Sequence, residues 1–321
     1  MRINHKNKYR KWEYMKNEKV VVGGQAVIEG VMMRGPKAIA TAVRKKDGSI
    51  VYKRKKLTEK NNKWLKVPFV RGVIALYDAM VVGTKELIFA SNQAGFEEEK
   101  LSDKEIGWTV FVSIALGIGV FMALPSFIGG LLFENNKVMA NLVEALIKLV
   151  LFLGYIIGIS FLKDIQRVFE YHGAEHKSIM NYELGEVLSP KNAKKCTRIH
   201  PRCGTSFLLI VMLISILVFI IVDLIFPVPE GKEFLQRIAL LLYKLVTRVA
   251  FVPVIAGLAY ELQRWTSYHL NNSVARIIAT PGMWLQKVTT SEPDEKQLEV
   301  AIVALNVALG KEVTNATEVF E

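Results

Sequence analysis

A chain of 321 residues that is 51% hydrophobic could bury a large soluble core, but its apolar residues are gathered into a few long runs, which excludes an ordinary soluble domain. The net charge of +12, from 42 basic against 30 acidic residues, clusters beside those runs, where anionic headgroups account for it. No basic and aromatic interleaving suits an RNA platform, so no nucleic-acid partner is expected, and two cysteines are too few for a disulfide framework.

Residues 1–19 form a polar, basic tail without an apolar run, so the amino terminus is expected in the cytosol. Residues 20–65 are rich in glycine and β-branched side chains. Asp47-Gly48 between two apolar stretches signals a hairpin, and a small β-rich domain is expected there. Within 66–105, residues 67–90 read as an amphipathic helix. Arg71, Asp78 and Lys85 recur every seven residues, which argues against a fifth crossing and for a helix that lies along the membrane surface or packs on the bundle.

Four apolar runs follow at 106–133, 138–162, 206–226 and 234–260, each near or above the roughly 20 residues that cross hydrocarbon. They divide the chain into transmembrane pairs at 106–162 and 206–262, a loop at 163–205 and a carboxyl-terminal region at 263–321. The short connections carry little positive charge, whereas the long loop is strongly basic. The positive-inside rule therefore predicts a multi-pass inner-membrane protein with both termini and this loop in the cytoplasm. Glu144, Lys148, Lys244 and Arg248 fall within spans, near the expected outer boundary, where snorkelling accounts for them. In the last region Ser291 is expected to cap a helix with an apolar stripe at Leu298, Ile302, Leu305 and Leu309. The fold class expected is a mainly α-helical polytopic membrane protein with a small β-rich amino-terminal domain.

The residues best suited to chemistry are His172-Gly-Ala-Glu175-His176. Four apart on a helix, His172 and His176 share a face and can present imidazoles to one divalent ion, with zinc the first choice. Glu175 sits at the edge of that face as a general base. Three of the five histidines lie in this loop, with His200 three residues before Cys203. His200 is the first choice for a third ligand, and Glu261, after the last span, is the alternative. Either requires the loop to fold back, with a bend at Gly173 as one route. Cys196 and Cys203 lack C-x-x-C spacing, and a Cys203–His200 nucleophile pair has no evident orienting group. In Gly23-Gly24-Gln25-Ala-Val-Ile-Glu29-Gly30-Val-Met-Met-Arg34-Gly35-Pro36, turn geometry is the plainer reading. Arg34 as an anion contact and Glu29 as a further ligand are the functional ones.

Five segments, at 23–36, 170–183, 200–207, 259–265 and 281–305, together resemble the YqhQ-like family of bacterial membrane proteins. The resemblance implies a membrane protein of unknown function, in a family described as predicted metal-dependent enzymes. No departure from its pattern occurs at His172, Glu175, His176, His200 or Cys203. The expectation is a metal-dependent hydrolase with a cytosol-facing site for a peptide or lipid-linked substrate. The alternative is a non-catalytic scaffold or regulator that binds a protein partner or a phosphate-bearing ligand. Membrane lipids are the expected surroundings, and a protein partner or oligomer is left open. A transporter is disfavoured, since the spans offer no midplane charge or inverted repeat.

Overall fold

The structure, a computed structural model, describes residues 22–57, 67–95, 103–133, 136–226 and 234–320. The basic tail at 1–19 and most of the two short inter-span connections lie outside them. The chain is mainly helical, with a small amino-terminal sheet and four helices long and apolar enough to cross a membrane. It divides into two compact units.

The first unit draws on three parts of the chain: the described residues up to 95, Ser160–Ile210 and Gly257 onward. Its sheet is an antiparallel meander of β1 (Gly23–Val27), β2 (Gly30–Arg34), β3 (Ala38–Arg44) and β4 (Ile50–Lys56). The short β5 (Thr317–Glu318), from the carboxyl end, adds in parallel to β4. The β3–β4 hairpin turns at Asp47-Gly48 as expected. Gly48 has φ 86°, and Asp47 accepts hydrogen bonds from the Ser49 amide and hydroxyl.

Both faces of the sheet are covered. Alternation sends Val31, Met33, Ala40 and Ala42 to one face, and Met32, Ile39 and Val43 to the other. Against the first face pack α5 (Lys163–Glu183) and α10 (Glu295–Ala308), through Tyr171, Ala174, Leu298 and Val303. Against the second packs α1 (Val70–Gln93), through Phe89 and Ala90. The cap of α10 is Asp294 and not Ser291. The Asp294 carboxylate accepts the Gln297 amide at 2.7 Å while Gln297 Oε1 accepts the Asp294 amide at 2.9 Å, a reciprocal box that Ser291 cannot form. The unit is completed by α6 (Pro190–Lys194) and by α9 (Ser273–Thr289), which Asn272 caps.

The second unit holds the middle of the chain. Its first apolar helix is α2 (Asp103–Ile118), continued through a π-helical turn at Gly119–Ala123 into α3 (Leu124–Leu132). Then come α4 (Lys137–Ile159), the later part of α7 (Gly204–Ile225), and the first two-thirds of α8 (Phe234–Tyr268). The last apolar helix runs to Tyr268, eight residues past its expected end.

Three of the four charges expected to snorkel are paired instead, and Lys244 donates to the Ser126 hydroxyl. Glu144 receives Lys148 Nζ at 2.5 Å and a guanidinium nitrogen of Arg248, and both Glu144 and Arg248 are buried. The reason is tertiary: helices distant in sequence bring opposite charges together, which a reading of single spans cannot see.

Candidate metal centre

The His172-to-His176 segment lies in the middle of α5, which runs without a break from Lys163 to Glu183. No bend occurs at Gly173. The chain folds back later, after Gly185 (φ 74°), and returns through α6 and residues 195–203 to the same helix. Gly173 serves a close approach. A Cβ there would fall well inside 3.0 Å of the Ser291 carbonyl oxygen and 3.3 Å from Pro293 Cδ. The segment after α9 thus crosses directly over the motif, and the Ser291 amide donates to the Phe169 carbonyl at 2.8 Å.

The two imidazoles share a face, with ring centroids 4.5 Å apart. His172 Nδ1 is 2.7 Å from the Thr289 carbonyl oxygen, and His176 Nδ1 is 2.5 Å from the Arg198 carbonyl oxygen. A carbonyl only accepts, so each Nδ1 carries the proton and each neutral ring is left with a bare Nε2. Cys203 completes the group, its Sγ 3.2 Å from His172 Nε2. One ligand atom from each of His172, His176 and Cys203 lies within 4.8 Å of the others.

These residues fit a divalent ion on three counts. Two nitrogens and a sulfur form a zinc-type donor set, the three atoms are already gathered, and both rings are held from behind by carbonyls, as metal-ligating histidines are.

Glu175 is buried beside the group, its carboxylate 3.9 Å from His172 Nε2. Burial pushes its carboxyl above the ordinary range, against the pull of His176 and His172. A Cβ on Gly24 of β1 would stand 2.9 Å from Glu175 Cγ, so the sheet walls this side. Around Cys203, burial opposes ionisation, but His176 and His172 outweigh it and hold the thiol well below its usual range. His172 responds in kind. Burial lowers its affinity for a proton, yet the neighbouring Cys203 raises it to about 9. With no metal ion bound, both shifts run in the same direction, towards a thiolate facing a protonated ring; an ion would take the proton's place on Nε2.

The remaining expected residues are placed elsewhere. His200 is buried next to His176, ring centroids 5.8 Å apart, but its Nε2 meets Glu183 Oε2 at 3.1 Å, and Glu183 also binds Arg202. Its backbone is clamped by Gln286, which accepts from the His200 amide and donates to its carbonyl, both at 2.8 Å. Glu261 binds Arg71, with Nε at 2.6 Å, and accepts the Phe69 amide at 3.1 Å. Glu29, in the β1–β2 turn with φ 51°, holds Arg167 and the Tyr171 hydroxyl. Arg34 pairs with Asp78 at 2.6 Å. The last three tie elements of the first unit together and leave the metal-type cluster to His172, His176 and Cys203. The carbonyls of Thr289 and Arg198 carry no side-chain signature and were not legible in the sequence.

The family model for a protein of unknown function, DUF1385, matches residues 67–311, about three-quarters of the chain. The chain belongs to this family. It is also 37% identical over 309 residues to the uncharacterized protein YqhQ of Bacillus subtilis (strain 168), covering 89% of this chain and 92% of that one. No solved structure matches the chain.

Proposed function

We propose that the chain is a metal-dependent hydrolase of the cytoplasmic membrane whose divalent ion, zinc first, is held by His172, His176 and Cys203. The observation that carries this reading is that both Nδ1 atoms point at backbone carbonyls, which leaves two bare Nε2 atoms beside a thiol. A set of three protein ligands is the pattern of catalytic rather than structural zinc. When bound, such an ion polarises a substrate carbonyl or phosphoryl oxygen and lowers the pKa of water. Glu175, kept in a dry pocket with its proton affinity raised, takes the proton from the attacking water and returns it to the leaving group. Thr289 and Arg198 fix the two rings through their carbonyls, and Gly24 leaves room for the Glu175 side chain.

Substrates anchored in or lying on the bilayer, either lipid-linked or peptide, suit this placement. The helix that ends at Thr289 exposes Val274, Ile277 and Trp284 along one side, a stripe fit for the headgroup layer. Basic residues flanking the spans support a cytoplasmic site and cytoplasmic termini.

Elemental analysis of the purified full chain tests the assignment. About one ion per chain is expected, lost in His176→Ala and in Cys203→Ser. Glu175→Gln keeps the ion but fails to complement a deletion strain. A wild-type chain without stoichiometric metal, or one whose metal survives both ligand substitutions, overturns the metal site. Metal retention with full complementation by Glu175→Gln favours a scaffold role.

The 3.2 Å approach of Cys203 Sγ to His172 Nε2 favours one second reading, a cysteine nucleophile with His172 as base and the Thr289 carbonyl as its orienting group. A metal-free, active chain inactivated by iodoacetamide at Cys203 would establish it.

A further inference from the structure

We propose that the second unit holds a binding site for an anionic phospholipid, its phosphate against Lys244 and Arg248 and an acyl chain in the adjoining apolar cavity.

Charge balance comes first. The cluster sets Glu144 and Asp223 against Lys148, Lys244 and Arg248, with Glu144 and Arg248 buried and the other three half-buried, which leaves one positive charge over. Glu144 is shared by Lys148 and Arg248, and Asp223 stands 3.9 Å from Arg248. Lys244 donates to the Ser126 hydroxyl at 3.1 Å, and among the described residues no carboxylate lies within ion-pair distance of it. Arg248 is 6% exposed, and among the described residues its buried Nε finds no acceptor. A surplus cation and an unsatisfied guanidinium N–H in an apolar bundle are costly, and an anion relieves both.

The space beside them is apolar and larger than an ion needs. A cavity of about 290 Å³ is bounded by Ile118, Met122, Leu242 and Leu245, with Lys244 and Arg248 on the same wall. That volume is at the lower end of small-molecule sites and is lined almost wholly by hydrocarbon. Its near side is made by the π-helical turn Gly119–Ala123, followed at once by Pro125. Such turns add a residue to the helix and recur at functional sites, because the extra residue displaces the backbone from its regular path. A free phosphate would satisfy the charges and leave this apolar volume unused. A lipid uses both. None of these residues belongs to the metal-type cluster, so the two proposals stand or fall separately.

Native mass spectrometry of the full chain in detergent, with phosphatidylglycerol and phosphatidylcholine of matched chains, tests this. Phosphatidylglycerol adducts should be retained roughly tenfold better than phosphatidylcholine adducts, the scale of one charge-assisted contact. Lys244→Gln, which removes the charge, shortens the side chain by one atom and keeps all the Glu144 pairs, should abolish that preference while the variant still binds both lipids. Excess inorganic phosphate should leave the preference unchanged. Equal retention of the two lipids, an undiminished preference in Lys244→Gln, or displacement of phosphatidylglycerol by inorganic phosphate would each overturn the assignment.

Discussion

Replacing Gly173 by alanine sets two effects of opposite sign against each other. In a helix interior alanine is favoured over glycine by about 1 kcal/mol, so a glycine retained mainly for flexibility would yield a more stable variant. At this position the added methyl meets the Ser291 carbonyl oxygen far inside normal contact, its carbonyl carbon at 3.2 Å and Pro293 Cδ at 3.3 Å. The first two are backbone atoms and cannot rotate away, so residues 290–293 must retreat by roughly 1 Å. Overpacking of this kind costs about 1–3 kcal/mol and outweighs the helix gain. The retreat also draws on the Thr289 carbonyl that holds His172. Loss of such support weakens metal affinity by about 10–100-fold. Thermal unfolding in mild detergent should therefore show a Tm lower by several degrees, and chelator titration should strip metal from Gly173→Ala at lower chelator concentration. Gly154→Ala, inside α4 where a Cβ meets nothing within 4 Å, is the control and should show the helix gain alone, up to about 1 kcal/mol, with metal retention unchanged. If Gly173→Ala melts at or above wild type with unchanged metal retention, the crossing segment is not clamped on α5, and the account of the site's support is wrong.

Asp294→Ala removes half of the α10 capping box and should cost about 1 kcal/mol in chemical unfolding, whereas Ser291→Ala should cost far less. Glu261→Gln should leave metal content unchanged, since its carboxylate is engaged by Arg71 and the Phe69 amide; loss of the ion would restore Glu261 as a ligand. In a metal-stripped Cys196→Ser background, thiolate absorbance of Cys203 should persist well below the roughly 8.5 of a free thiol, and His172→Ala should move its midpoint back up. In that metal-free chain the folded pKa of His172, about 9, lies above its unfolded value. Its contribution to stability is therefore complete below about pH 6.5 and is lost as the pH rises through about 9, a decline the His172→Ala variant should lack.

What could be read from the sequence follows from how local each signal is. The apolar runs and the Asp47-Gly48 turn are local, and they predicted the candidate spans and the hairpin. The α10 cap is nearly local, but two overlapping patterns compete, and only Asp294 with Gln297 has a partner that reciprocates. The grouping of Cys203 with His172 is not local at all. It depends on the chain reversing after Gly185, and nothing in the spacing of His176, His200 and Cys203 favours the thiol over the nearer imidazole. His200 is drawn off by Glu183, a residue with no motif around it. The partners of Glu144 lie on its own helix and on α8, and only the first of these could be seen in a single span.

The amino-terminal sheet looked like a separate domain in the sequence, yet it forms a wall of the site. Gly24 approaches Glu175, and Glu29 reaches Tyr171 and Arg167 on the same helix. The consequence is an energetic oddity. From Tyr171 to Asn181, α5 is buried almost throughout, although it contains Glu175, His176, Lys177, Ser178 and Asn181. An apolar helix in that position would fold more favourably, because each buried polar group must recover its lost hydration from a partner. Some do: Lys177 reaches the Lys194 carbonyl and Glu292. Among the described residues Glu175 has no hydrogen bond of that kind, and its carboxylate stands between the imidazoles, the thiol and Gly24 of the sheet. A carboxylate kept in the interior with no hydrogen-bonded structural partner among the described residues, and with Gly24 of the sheet leaving room for it, is more economically explained by chemistry at that position than by folding.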